Sequence, residues 1–281
     1  MKIYKYSGAG NDFFMIDGRN AEVSHYRNLE VISALCDRNS NLPLPQGVRQ
    51  GADGVIILST APGEDFVMEF FNPDGSSGMM CGNGGRCVVA FAHFLGIEPS
   101  HGATYRFSAP DGPHFGEVLS SEGNLASVRL GMKDVEGVTR FDDGVFLDTG
   151  ARHFVTLVPD VEAVDIDTVG HDIRWQERFA PQGSNVNFLS RSTDGNISVR
   201  TFEKGVEAET LACGTGVTAS ALAAHIFGIP ATALNPDGSI HYDIHTRQAV
   251  LGVDFEVSDS HSFRRICLTG PAESQAELEI D

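Results

Sequence analysis

Two cysteines stand where a thiol can do acid–base chemistry. Cys81 opens the run Cys81-Gly82-Asn83-Gly84-Gly85-Arg86-Cys87, and Cys213 opens Cys213-Gly214-Thr215-Gly216. In each case glycines follow at once, and an apolar run (residues 88–95 and 217–227) follows the glycines. Glycines permit a tight turn and the apolar runs are long enough for helices. The spacing therefore predicts a thiol at each helix N-terminus, where unpaired N–H groups and the helix dipole favour negative charge. Such a position binds anions and brings a cysteine pKa to roughly 3.5–7.5. Two such thiols on opposite sides of a carbon bearing an acidic hydrogen can invert a stereocentre: one removes the proton and the other delivers one. N–H groups at the helix starts can hold a neighbouring carboxylate, each donor being worth about 3–4 kcal/mol of barrier.

The elements that must place these thiols read as a repeat. The two Cys-Gly-x-Gly motifs lie 132 residues apart, from Cys81 to Cys213. The same offset sets Gly51-Ala52-Asp53 over Gly183-Ser184-Asn185, Ile56-Ile57-Leu58 over Phe188-Leu189-Ser190, and Phe70-Phe71 over Phe202-Glu203. A looser offset pairs Gly10-Asn11-Asp12-Phe13 with Gly150-Ala151-Arg152-His153-Phe154. Strands are expected at 1–6, 13–17, 55–58, 66–71, 154–158, 186–190 and 197–203, and helical spacing runs through Leu29, Ile32, Leu35 and Cys36. Residues 39–50, with Pro43 and Pro45, read as a loop, and the acidic residues 273–281 as a fraying end. Both predicted central helices are apolar nearly all round, which marks buried helices. The fold expected is α+β, with two pseudo-symmetric lobes, each a β-barrel-like roll of mixed strands around a central helix. Residues 1–118 form the N-terminal lobe with Cys81, joined by 268–281, and 119–267 form the C-terminal lobe with Cys213. Pseudo-twofold symmetry between the lobes would bring the two thiols face to face.

Composition narrows the partners. Against 38 acidic residues there are 20 basic ones, a net charge of −18, which argues against nucleic acid or an anionic membrane. An anionic substrate must then be held by local groups. No apolar run approaches the roughly 20 residues needed to span a bilayer, and residues 1–5 lack the core of a signal peptide. Five cysteines at irregular spacing are no disulfide framework and point to a reducing cytoplasm.

Other patterns have plainer readings. Cys36, Cys87 and Cys267 read as small apolar residues, and His93 and His225 as hydrogen-bonded core histidines. Gly214-Thr215-Gly216-Val217-Thr218-Ala219 fits a dinucleotide fingerprint, but no buried strand precedes it and no acidic strand end follows. His241, Asp243 and His245 alternate onto one strand face, read as solvated, and no metal is expected.

Ser7-Gly8-Ala9-Gly10-Asn11-Asp12-Phe13, Phe71-Asn72-Pro73-Asp74-Gly75-Ser76, the run from Cys81 to Cys87, Asn185-Val186-Asn187-Phe188, and Glu203-Lys204-Gly205 through Gly216 together resemble the diaminopimelate epimerases. The match runs in order over nearly the whole chain. The resemblance implies interconversion of LL- and meso-2,6-diaminopimelate in lysine and cell-wall precursor synthesis, by a homodimer that uses no pyridoxal phosphate or other cofactor. It implies Cys81 and Cys213 as the catalytic bases, with His153 and Glu203 as supporting polar groups. Gly82, Asn83, Gly214 and Thr215 would cradle the reacting carboxylate, and Asn11, Asn72 and Asn187 would contact substrate. Glu203 and Lys204 would meet the remote amino and carboxylate groups. Ala151-Arg152 stands where the family often has Asn-Pro, and Lys204 where it has arginine, losing a bidentate fork; Arg152 is expected to supply a compensating cation. Alternatives of other kinds are a racemase resembling proline racemase, a redox-thiol protein, and a ligand-binding module without activity.

Overall fold

The computed structural model describes residues 1–78, 80–259 and 261–279. The chain divides into two units: Met1–Leu130 joined by the chain from Gly270 onward, and Gly131–Thr269.

The first unit contains β1 (Lys2–Gly8), β2 (Asn11–Asp17), α1 (Leu29–Cys36), β3 (Gly54–Ser59), β4 (Phe66–Phe71), α2 (Gly82–Phe94), β5 (Thr104–Ala109), β6 (Gly112–Glu122) and β7 (Leu125–Gly131). Each strand pairs with the next, antiparallel except for the parallel pairs β2–β3 and β4–β5. The last strand of the chain, Ser262–Glu279, closes the ring, with residues 270–273 against β7 and 273–279 against β1. An acidic tail that composition marks for fraying is thus a structural strand as far as Glu279, where Ile3↔Leu278 pairing and the burial of Leu278 hold it. Helix α2 packs on β1, β2, β3 and β6. The strands β2 and β3 are apolar on both faces: Phe14, Ile16, Val55 and Ile57 pack outward against α1, while Phe13, Met15, Ile56 and Leu58 alternate to the other face.

The second unit repeats this plan. It contains β8 (Val138–Phe141), β9 (Gly144–Asp148), β10 (Arg152–Leu157), α3 (Ile166–Arg174), β11 (Asn185–Arg191), β12 (Ile197–Glu203), β13 (Ala208–Thr210), α4 (Gly214–Ile226), β14 (Ala233–Leu234), β15 (Ile240–His245), β16 (Val250–Asp259) and the first half of β17, the strand Ser262–Glu279. The order is β8-β9-β10-β11-β12-β15-β16-β17, with β10–β11 and β12–β15 parallel and the rest antiparallel. That is the first unit's sequence of pairings, beginning with its own closing strand. Residues 132–135 bond to β17 through Met132 N→Ile266 O and Val135 N→Phe263 O before the chain enters β8. Helix α4 packs on β9, β10, β11, β12, β15 and β16. The offset of 132 carries α2 onto α4 residue for residue.

Helix α3, which apolar spacing alone does not mark, covers the outer face of β11 and β12 as α1 covers β2 and β3. Gly170 in its middle lies so close to Phe202 that a Cβ would stand 2.4 Å from the Phe202 Cβ. The first break falls after Leu130 rather than near 118, which lies inside β6, because the β6–β7 hairpin belongs to the first ring. His93 is exposed in the last turn of α2, and His225 packs between Phe255 and Phe263.

Candidate active site

In the first unit Cys81 is the N-cap of α2, with extended backbone (φ −105°, ψ 147°), and its Sγ accepts from Gly84 N at 3.2 Å. The sulfur takes the place of the capping oxygen of a serine or aspartate, where the helix start favours a thiolate. Gly8, the last residue of β1, lies against this turn: a Cβ there would stand 2.8 Å from Asn83 O and 3.0 Å from Cys87 Sγ. Asn83 Nδ2 donates to Asn11 Oδ1 at 2.6 Å, joining two of the expected substrate contacts. The remaining thiols of this unit are of another kind. Burial pushes Cys36 up to about 12 and Cys87 higher still, so neither supplies a thiolate near neutral pH.

In the second unit Cys213 is the N-cap of α4 (φ −110°, ψ 109°), half-buried like Cys81. Strand alternation puts His153, Asn187 and Thr201 on one face, opposite the phenylalanines that pack outward with α3. These polar residues form a directed chain. Asn187 Nδ2 donates to His153 Nδ1 (3.1 Å) and to Phe154 O (3.1 Å), and Asn187 Oδ1 accepts from Thr201 Oγ1 (2.9 Å). With Nδ1 an acceptor, the imidazole proton resides on Nε2, which lies 2.9 Å from Thr215 Oγ1. Thr215 Oγ1 lies 3.4 Å from Cys213 Sγ, within reach for its hydroxyl to donate to a thiolate there. Thr149 Oγ1 anchors the same residue by donating to Thr215 O at 2.8 Å. Gly216 is needed where it stands: a Cβ would be 2.5 Å from Asn187 Oδ1 and 3.3 Å from His153 Cε1.

Asn187 is fully buried with its amide consumed inside this chain, so it orients His153 and does not meet a ligand. That corrects its expected role as a substrate contact. The candidate contact is Asn185, two residues earlier on the same strand face and missed in the sequence. Its Oδ1 accepts from Lys204 N (2.7 Å) and its Nδ2 donates to Arg152 O (3.0 Å), which leaves a second N–H for a ligand among the described residues. Asn185 thereby ties together the segments carrying Lys204 and His153. Lys204 is exposed, and burial raises the carboxyl of neighbouring Glu203 above the usual range. Arg152 is engaged elsewhere, by Gln182 Oε1 at 2.7 Å and the Phe146 ring at 5.1 Å. Asn72 shapes its own turn, donating to Ser76 Oγ at 3.0 Å. His241 bonds Asp254 and Asp243, and no group of three potential metal ligands is found among the described residues.

Complete burial lowers the pKa of His153 to about 3, so it is neutral near pH 7 and acts as a hydrogen-bond donor. Unfolded, it titrates at about 6.5. Between these values the unfolded chain binds the extra proton, so stability present above pH 6.5 drains away as pH falls toward 3, at about 1.4 kcal/mol per unit. Urea melts should therefore show the wild type losing about 2–3 kcal/mol more than His153→Gln between pH 7 and 4.5. Equal losses would show that the histidine is not held neutral.

Two rolls of strands, each around a central helix, define a fold class with solved members. A Bacillus anthracis phenazine biosynthesis protein of the PhzF family matches with a TM-score of 0.65 at 12% identity, over 100% of this chain and 99% of that one. A probable proline racemase from Agrobacterium radiobacter matches with a TM-score of 0.62 at 15% identity, over 100% and 92%. Within that class the sequence is specific. The diaminopimelate epimerase family model matches residues 3–132 and 145–251, and the diaminopimelate epimerase of Flavobacterium psychrophilum is 39% identical over 280 residues, 100% of both chains. The chain belongs to the diaminopimelate epimerase family, and is an isomerase.

Proposed function

We propose that the protein interconverts LL- and meso-2,6-diaminopimelate, with Cys81 and Cys213 as its two proton-transfer groups. The observation that carries this reading is the placement of both thiols as N-caps of matching helices in a chain of this family. One thiolate takes the α-proton from one face of the carbon and the other thiol protonates the opposite face, so the mechanism requires the two sulfurs to reach opposite faces of one substrate. N–H groups of Gly82, Asn83, Gly214 and Thr215 hold the α-carboxylate and the charge that grows on it. In the second unit the Thr215 hydroxyl steadies the Cys213 thiolate and turns with it when the sulfur is protonated. Glu203, Lys204 and Asn185 recognise the remote amino and carboxylate groups, for which a diamino diacid needs both signs of charge; a proline-like substrate has no such end. The enzyme works in lysine and cell-wall precursor synthesis, without pyridoxal phosphate, as a cytoplasmic homodimer. No helix among the described residues is long and apolar enough to cross a membrane.

Incubation in D2O with a thiol reductant tests the assignment. Deuterium should enter the α-position of diaminopimelate and not that of proline; exchange into proline alone, or into neither, overturns it.

A further inference from the structure

Arg86 is fully buried on α2, and its guanidinium is spent on neutral acceptors: Asn83 Oδ1 at 2.8 Å, Gly82 O at 3.2 Å and Pro271 O at 3.4 Å. From Asn83 a line of side chains leads away. Asn83 Nδ2 donates to Asn11 Oδ1 (2.6 Å), and Asn11 Nδ2 donates to Asp53 Oδ2 (3.1 Å). Asp53 is fixed in turn, by Asp12 N on the same oxygen and by Arg38 on the other. Arg38 also bonds Asp12 and Gln50 O, and buried Lys5 reaches Asp12, Arg49 O and Gly51 O. All of this lies within the first unit.

The two ends of the line differ in kind. A guanidinium can only donate and a carboxylate can only accept, whereas an asparagine amide has one face of each sort and can turn over. With both amides as found, three hydrogen bonds are made. With both turned over, one survives and two become repulsive, donor on donor at Arg86 and acceptor on acceptor at Asp53. With one turned over, the central bond is lost as well. Each end therefore independently enforces the same polarity along the line.

We infer that Arg86 and Asp53 are positioning residues that lock the amide polarity of Asn83 and Asn11, so that Asn11 keeps an N–H donor, not a carbonyl, for the substrate's carboxylate. This rests on the assignment of Asn11 as a substrate contact. A carboxylate facing the turned-over amide would meet an oxygen, which converts attraction into repulsion at the same place. Arg86 adds a second constraint: through Gly82 O it pins the peptide at the head of α2, the same turn that carries the thiol. The buried cation thus has a use that a packing role does not require, because an apolar residue could fill the space but could not orient an amide.

The variants that test this differ in polarity more than in size. Arg86→Lys keeps a donor-only end, Arg86→Gln offers both faces, and Asp53→Asn makes the opposite end ambivalent. Arg86→Gln and Asp53→Asn should raise KM for diaminopimelate roughly tenfold or more, with kcat changed less, and Arg86→Lys should stay within about threefold of wild type. Equal damage from Arg86→Lys and Arg86→Gln, or a KM unchanged in both Arg86→Gln and Asp53→Asn, overturns the inference. A substrate-free readout separates it from the functional assignment. In protein labelled with 15N-asparagine, the Asn11 side-chain N–H pair, identified by its loss in Asn11→Ala, should shift in Arg86→Gln although that residue does not touch Asn11. A pair that stays in place refutes the lock even if the wild type proves active, whereas a shifting pair in a protein without activity toward diaminopimelate leaves the lock standing and refutes the substrate. If thermal melts show the Arg86 variants unfolded, Asp53→Asn decides by both readouts.

Discussion

Cys213→Ala is expected to lower kcat/KM for diaminopimelate by roughly a hundred- to ten-thousand-fold, the span of one general acid–base group. Cys81→Ala should do the same, and the double variant little worse than either, because the two thiols act as a unit and their losses are not additive. The loss is chemical and not structural. Both cysteines are half-buried, and their caps retain the backbone bonds Gly85 N→Cys81 O and Val217 N→Cys213 O, each 2.8 Å. Isotope placement gives the sharper evidence. In D2O the wild type should put deuterium into the product while recovered substrate stays protiated at early times, since the proton delivered comes from a different thiol from the one that took it. With one thiol left, exchange without inversion is the most that remains. A single-cysteine variant that epimerises at the wild-type rate is incompatible with the two-base mechanism.

Asn187→Asp is expected to disable the second unit's thiol without touching it. The substitution keeps the shape and puts an acceptor where the amide donated to His153 Nδ1 and Phe154 O. With the ring neutral, as complete burial holds it in the wild type, the imidazole then carries its proton on Nδ1 and Nε2 becomes an acceptor. Thr215 turns its hydroxyl to Nε2 and away from Cys213. A hydrogen bond to a charged group is worth about 1.5–3 kcal/mol, so kcat should fall about 10- to 100-fold with KM changed only a few-fold. The ring nitrogens of His153, observed by 15N NMR, should report the exchange of tautomer. A full kcat in a protein whose tautomer has switched would detach the chain Asn187–His153–Thr215 from catalysis.

Much of this site was legible because its chemistry is written in short, paired motifs. Two cysteines ahead of glycines and apolar runs gave both helices and both caps, and the offset between them gave the repeated strands. What escaped depends on contacts distant in sequence. Asn185 and Asn187 share a strand face, and nothing local says which has its amide consumed; Thr201 and His153, from two other strands, decide it. Arg86 lies inside the most legible motif, yet its use depends on Asn83, Asn11 and Asp53 coming together. Helix α3 escaped because Gly170, a poor helix former, is there for closeness to Phe202. The acidic tail looked like loose chain because charge says nothing of its backbone pairing with β1 and β7.

That tail also sets the order in which the molecule can be completed. Residues 270–279 supply the strand between β1 and β7, so during synthesis the first ring stays open until the whole second unit has been made. The second ring lacks no strand once Thr269 has emerged. Nascent chains generally fold from the N-terminal domain onward, but here the half begun first is finished last. Until then β1 and β7 are exposed strand edges, open to pairing with any other chain nearby.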